Sequence, residues 1–349
     1  MKKRVVGAAL FGTGLFLLVV AVALAFVVTP LASKMPFDLE PPVTNLDAPN
    51  ATFVQARMEG GEPTIGVQQA TLRASTGIQP DVGAAAELPD SLVNKTVVWN
   101  VFQNIKRTDN GEVINATESR IALDRKSGAA ANWSGQCYTD QEDEPCRGGN
   151  INYRGQLYAF PFGTEKKTYQ YYDSTLHTAL PINYEGTETV NGLEAYRFRQ
   201  VVPEQQATMD EELKGVLLGV FAPGSTSGTV QYNAARTLWV EPVTGSIIDY
   251  QEEQHRVLVS NTGVRTTLLD AVFRYTPQTR QTVVDKAGDG RSTLLLLGRW
   301  IPIGLTVLAL LLLAFGYLLT RGAVRAGAPV AAVPTQPATG PDRTAVPQT

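Results

Sequence analysis

The stretch TLWVEPVTGSIIDY, Thr237 to Tyr250, sets two carboxylates, Glu241 and Asp249, on either side of a Pro and a Gly. As chemistry it offers a general acid and a general base. As structure it is a hairpin: Pro242 fixes φ near about −65° at the first corner, and Gly245 takes the left-handed position that closes a four-residue turn. Pairing outward from that turn sets Glu241 opposite Ser246, Val240 opposite Ile247, Trp239 opposite Ile248 and Leu238 opposite Asp249. Side chains alternate between the faces of a strand, so Glu241 and Asp249 fall on opposite faces and cannot serve one cleft. The stretch is a turn in an antiparallel β domain.

The same register leaves apolar groups on both sides, Trp239 and Ile248 on one and Leu238, Val240 and Ile247 on the other. A half-exposed hairpin is apolar on one side only, so this one expects cover on both, by protein or by an apolar ligand. A second segment, ATMDEELKGVLLGVFAPG (Ala207 to Gly224), carries Asp210, Glu211 and Glu212 where a helix N-terminus favours acids, then turns apolar. It reads as a helix packed on the sheet, or as an amphipathic segment that lids a lipid-binding groove or lies on a membrane. Leu218, Phe221, Trp239 and Ile248 are therefore the candidate wall of an apolar ligand site.

Strands and tight turns dominate from about Ala51 to Thr276. Val97–Leu123 reads as a long hairpin turning at Asn110-Gly111, another turns at Asn191-Gly192, and a third at Gly263. A short helix is expected near Ala84. Before this region, Ser33 to Asn50 is a Pro-rich stretch that should run extended.

Two blocks depart from the pattern. Val5–Val28 is uncharged and follows Lys2, Lys3 and Arg4; Ile301–Leu319 lies between Arg299 and Arg321, with Arg325 beyond. At 1.5 Å rise per residue each is long enough to cross a hydrocarbon core of about 30 Å. The first exceeds a signal-peptide apolar region and lacks a small-x-small cleavage site, so it is read as an uncleaved anchor. Basic flanks place both termini in the cytoplasm. The resulting organisation is a cytoplasmic N-terminus (1–4), a transmembrane helix (5–28), an extracytoplasmic β-rich domain (33–293), a transmembrane helix (300–320) and a disordered cytoplasmic tail (321–349), which is rich in Ala, Pro and Gly. The protein is expected at the plasma membrane.

Charge and cysteine usage agree with an external domain. Of 30 Lys and Arg, seven lie at the ends and helix flanks, against one of 33 Asp and Glu, which leaves the middle near about −9. Such a surface is unsuited to nucleic acid. The two cysteines, Cys137 and Cys146, enclose an acidic loop, DQEDE. In an oxidising compartment they should pair, constraining the unfolded chain by roughly 2.5–3 kcal/mol. Only His177 and His255 occur besides, so no metal site is expected, and no cofactor motif appears. The Gly224–Gly228 stretch GSTSG has Thr226 where a nucleophile elbow needs Ser. No catalytic residues emerge and an enzyme is not expected.

Ala159–Thr175 (AFPFGTEKKTYQYYDST), Tyr184–Phe198 (YEGTETVNGLEAYRF) and Thr237–Asp249, in this order between two terminal apolar runs, resemble the actinobacterial porin PorA family. The resemblance implies a channel. The apolar helices and hairpins, read as short and irregular, do not fit a transmembrane barrel. The layout is also similar to external lipid carriers tethered at both ends, and to lipoprotein carriers whose curved sheets hold acyl chains. The expected role is binding or transfer of an envelope lipid or glycolipid, with a channel or a scaffold for other envelope proteins as alternatives. In denatured, unreduced protein neither cysteine should react with an alkylating reagent; labelling of both would refute the disulfide.

Overall fold

The computed structural model describes residues 2–59, 62–140 and 146–325. The acidic run after Asp140 and the tail beyond Arg325 lie outside the described residues. The chain divides into two compact units, one made of Val28–Gly298 and the other of the two ends.

The larger unit is built on one antiparallel sheet of 11 strands: β1 (Thr44–Glu59), β2 (Glu62–Pro80), β3 (Thr96–Arg107), β4 (Val113–Asp124), β5 (Cys137–Thr139), β6 (Tyr169–Asp173), β7 (Thr178–Val190), β8 (Leu193–Ala207), β9 (Gly228–Val240), β10 (Ile247–Ser260) and β11 (Arg265–Tyr275). Their order is β5-β4-β3-β2-β1-β11-β10-β9-β8-β7-β6, a half-barrel. The hairpin signals are visible in it. Asn191 and Gly192, both at positive φ, form the two-residue loop between Val190 and Leu193. Gly111 and Gly263 also sit at positive φ in their turns. The strands are longer than the sequence reading allowed: β1 begins at Thr44, inside the stretch expected to be a spacer, and pairs with the 19-residue β2.

Helices α2 (Thr29–Ala32), α3 (Val82–Ala86), α4 (Glu211–Phe221) and α5 (Pro277–Leu295) complete this unit. Each of the last three has the cap its sequence supplies: Asp81 accepts from the Ala84 amide, Asp210 from Leu213 and Thr276 from Thr279. Cys137 and Cys146 are bonded, with Cα atoms 5.5 Å apart.

Both edges of the sheet are linked through a short segment. Ala130 and Ala129 bridge to β4 at Leu123 and to Gln156, and Gln156 bridges on to Tyr171 of β6. The Gln156 amide donates to the Gln170 carbonyl at 2.7 Å, and the Tyr172 amide donates to the Gln156 carbonyl at 2.9 Å. Gly155 permits this approach, because a Cβ there would lie 2.4 Å from the Gln170 oxygen.

The Thr237–Tyr250 hairpin is present, with one correction. The Glu241 amide donates to Ser246 and Val240 faces Ile247, but a bulge at Ile248 shifts the pairing, so that Trp239 faces Asp249 and Leu238 faces Tyr250. Glu241 is fully buried and accepts from the Val243 and Thr244 amides, the Thr244 hydroxyl and Arg291 of α5. Asp249 pairs with Arg280 of the same helix at 2.9 Å. Burial raises the Asp249 pKa, opposed by Arg280. Both carboxylates of the stretch thus fasten α5 to the sheet, so the bulge places them on one face and not on the opposite faces that the unbulged register predicts.

The second unit holds α1 (Lys2–Ala23) and α6 (Ile301–Arg325), an antiparallel pair, and the apolar segments at both ends are long and apolar enough to cross a membrane. Its buried positions are Gly7, Gly14 and Ala21 on one helix and Pro302, Ala309 and Gly316 on the other, each set spaced by seven residues. That period matches a left-handed supercoil, and the small residues let the backbones approach. A Cβ on Gly14 would meet the Ala309 carbonyl at 2.9 Å, and one on Gly316 the Gly7 carbonyl at 2.7 Å. Large side chains such as Phe16, Leu311 and Phe315 point outward.

Gly245 tests the hairpin. Its φ is +74° and an added Cβ would stand 2.1 Å from the Phe160 carbonyl, whereas Gly192, at +85°, has nothing within 4 Å. Gly192→Ala should cost on the order of 1 kcal/mol of strain and Gly245→Ala several times that, read as a much larger fall in thermal midpoint.

Candidate functional site

Alternation along the strands gives the half-barrel a concave face, and that face encloses a cavity of about 1380 Å³. β2 supplies Leu72, Ala74 and Ile78, and β11 supplies Leu269, Phe273 and Tyr275. Met35, Trp99 and Leu157 line it from the side of the linked edges. The lining of β10 differs, since its inward positions are Tyr250, Glu252, Gln254 and Arg256. The two ends are marked by helices: Val283 and Ala287 of α5 at the Ile247 end, and Leu213 and Leu217 of α4 towards the Ser260 end. Nine residue steps along β10 separate Ile247 from Arg256, about 30 Å of strand at 3.3 Å per residue.

The expected wall residues sit beside this cavity, and their neighbours line it. Leu218 and Phe221 pack with Val230, Tyr232 and Leu258. Trp239 and Ile248 pack with Val283 and Val284, and the Trp239 indole donates to Glu188 at 2.6 Å. Trp239 and Ile248 share a face, as the register predicts, but α5 covers that face and the lumen lies on the other, where Ile247 sits and where the bulge at Ile248 brings Tyr250.

A charged cluster that sequence reading did not single out is buried behind the β10 lining. Arg236 donates to Asp173 at 2.7 Å, to Glu252 at 2.5 Å and to Gln200 at 2.8 Å. Its side chain is 3% exposed and that of Asp173 0%. Tyr232 donates to Asp173, and Tyr250 and Gln254 donate to Glu252. Burial opposes the Arg236 charge, but Glu252, Tyr250 and Asp173 outweigh it and hold the guanidinium well above its ordinary pKa. Burial likewise pushes the Tyr232 phenol up to about 12 and that of Tyr250 well above its usual range. The signal was present in GTVQYNAARTLWV, where Arg236 occupies an alternate position among Val230, Tyr232, Ala234, Leu238 and Val240. A charge in an apolar stripe needs a partner, and the partner lies 63 residues away.

The cluster binds no metal by its own chemistry, since its donors are already used. No group of three or more His, Cys, Asp or Glu suited to a metal occurs among the described residues. Of the two histidines, His255 faces away from the cavity between Glu253 and Asp270, and His177 lines it, edge-on to Tyr138.

These features define a β half-barrel with a large, mainly apolar lumen, in a chain that also carries two long apolar helices. The chain belongs to the Porin PorA family, whose pattern it matches over residues 6–318. It is similar to a protein named Porin PorA from Corynebacterium resistens, 24% identical over 406 residues that cover 90% of this chain and 96% of the relative. A Porin PorA of Corynebacterium amycolatum is 24% identical over 197 residues, 48% of this chain and 51% of that one.

Removing one partner of the buried cluster should be costly, since it strands a charge. Arg236→Met is expected to lose about 3–5 kcal/mol. Arg236→Met combined with Asp173→Asn should recover part of that loss, measured by chemical unfolding of the detergent-solubilised protein.

Proposed function

We propose that this chain is a two-pass protein of the cell envelope whose extracytoplasmic half-barrel takes up the acyl chains of an envelope lipid or glycolipid. The observation that carries the reading is the lumen. Its volume of about 1380 Å³ exceeds the roughly 300–1,000 Å³ of sites for small drug-like ligands. Its lining follows β10 from Ile247 to Arg256, about 30 Å of strand at 3.3 Å per residue, which is on the scale of an acyl chain's reach across one bilayer core. Apolar surface of this extent gains from cover at roughly 25 cal/mol per Å². In this reading α1 and α6 span the plasma membrane, and Lys2, Lys3, Arg4, Arg321 and Arg325 keep both termini in the cytoplasm.

The second reading is a channel, and the family name favours it. The sheet itself is a poor candidate for the pore wall, because its outward side carries charged groups such as Glu253, His255 and Asp270, where a membrane barrel presents apolar residues. The helix pair packs closely through Gly7, Gly14, Ala309 and Gly316, which leaves little room between the two backbones. A pore would therefore need several chains.

Native mass spectrometry of the full chain, purified in mild detergent, should find lipid retained. Ala74→Trp, placed on the lumen wall, should lower that retention several-fold while the thermal midpoint holds. Absence of lipid from every wild-type preparation, together with ion conductance that Ala74→Trp leaves unchanged, would replace the lipid reading with the channel.

A further inference from the structure

We infer that Arg256 and Thr175 form an anion-holding subsite within the lumen, so that the lipid taken up is one with an anionic oxo group, a carboxylate or a phosphate, at its head. This rests on the acyl-binding reading and narrows it. Arg256 is an inward residue of β10 and lines the cavity. One terminal nitrogen donates to the Thr175 hydroxyl at 2.7 Å and to Gln254 Oε1 at 3.2 Å. Both acceptors are neutral. Its Nε is buried without a partner, and no carboxylate of the described residues lies within ion-pairing distance of the group. The nearby acids are committed or distant. Asp173 and Glu252 are bound to Arg236. Asp140 lines the same cavity and, like Arg256, influences the Tyr138 phenol without pairing with Arg256.

The guanidinium is also held in place. The Thr175 hydroxyl that fixes it belongs to a turn locked by Asp173, which accepts from the Thr175 and Leu176 amides at 2.9 and 2.7 Å. Its other flank lies near the Tyr232 ring, 5.8 Å from the centroid. Its third nitrogen, Nη1, has no hydrogen-bond partner among the described residues and, held in this orientation, offers charge-assisted hydrogen bonds to a carboxylate or phosphate. A ligand seated there places its chains against the apolar residues that β2 and β11 supply and its head at Arg256, on the polar strand of the lining.

The test compares three C16 probes on the detergent-solubilised full chain by competition with a fluorescent fatty acid: palmitate, hexadecyl phosphate and methyl palmitate. Wild type should bind at least one of the anions roughly tenfold or more tighter than the ester, as a charge-assisted hydrogen bond requires; the tighter one identifies the oxo group. Arg256→Gln should bring the anions to the level of the ester and leave the ester unchanged, which also reports an intact lumen. Arg256→Lys, which keeps charge but loses the fork, should fall between. If Arg256→Gln loses the ester as well, the lysine variant and the wild-type anion preference carry the decision. Equal wild-type affinity for anions and ester, or a preference that survives Arg256→Gln, overturns the subsite and leaves the lumen reading standing. Binding of no probe by the wild type overturns both.

Discussion

A sheet has two edges, and each presents amides and carbonyls that must find partners. Here the part of β4 that β5 leaves uncovered and the edge strand β6 are joined through Ala129, Ala130, Gly155 and Gln156, which hydrogen-bond the two sides through one short segment. This linkage makes a lumen possible, because it bends the 11 strands round a common interior. The same segment goes on to hold the hairpin turn: Phe160 donates to Gly245, Gly163 to Val243 and Thr164 to Pro242. That turn in turn buries Glu241, whose carboxylate takes Arg291 of α5. Residues 155–164 therefore connect edge closure, the turn and the helix at one end of the lumen.

Charge within this interior follows from the same geometry. Residues pointing into a half-barrel lose water whether or not they are apolar, so a charged one must be compensated or exposed to a ligand. Arg236 is compensated by two carboxylates and a network of neutral donors and acceptors. The network ties β6, β8, β9 and β10 together and sets the level at which the lining changes from apolar to polar. Arg256, four positions from Glu252 on the same face, reaches the end of that network through Gln254. The polar side of the lumen is thus built on an internally balanced cluster, with the further cation at its margin.

Local signals survive in the structure where the physics is local. Positive φ at Asn191-Gly192, the Asp210 cap of α4 and the paired cysteines all depend on neighbours within a few residues or on compartment. The turn at Pro242–Gly245 was legible for the same reason. Its far side was not, because a bulge at Ile248 inserts one residue and inverts every side chain beyond it. The insertion brings Tyr250 to the lumen beside Ile247, while Trp239 and Ile248 stay on the face that α5 covers. Edge closure by Gln156 and the pairing of Arg236 with Asp173 depend on contacts across dozens of residues, which periodicity does not encode. Whether the apolar faces meet each other or enclose space is set by sheet curvature, and no run of residues specifies it.

The seven-residue spacing of Gly7, Gly14 and Ala21 against Pro302, Ala309 and Gly316 bears on the contrast between a channel and a carrier. Close backbone approach uses the facing sides of both helices for contact with each other. What remains outward is bulky and apolar, including Phe11, Leu15, Leu311 and Leu318. Such surfaces suit hydrocarbon and offer no ion a substitute for its hydration shell. An aqueous path lined by these helices would have to open the glycine contacts and expose the small residues, whose own side chains are apolar or absent. The half-barrel faces the opposite condition. Its interior is already open and its lining is mainly apolar, with a run of polar groups, Glu252, Gln254 and Arg256, along β10. The two units therefore divide the physics of the chain: one packs two apolar helices through small residues, and the other holds space lined mainly by apolar groups.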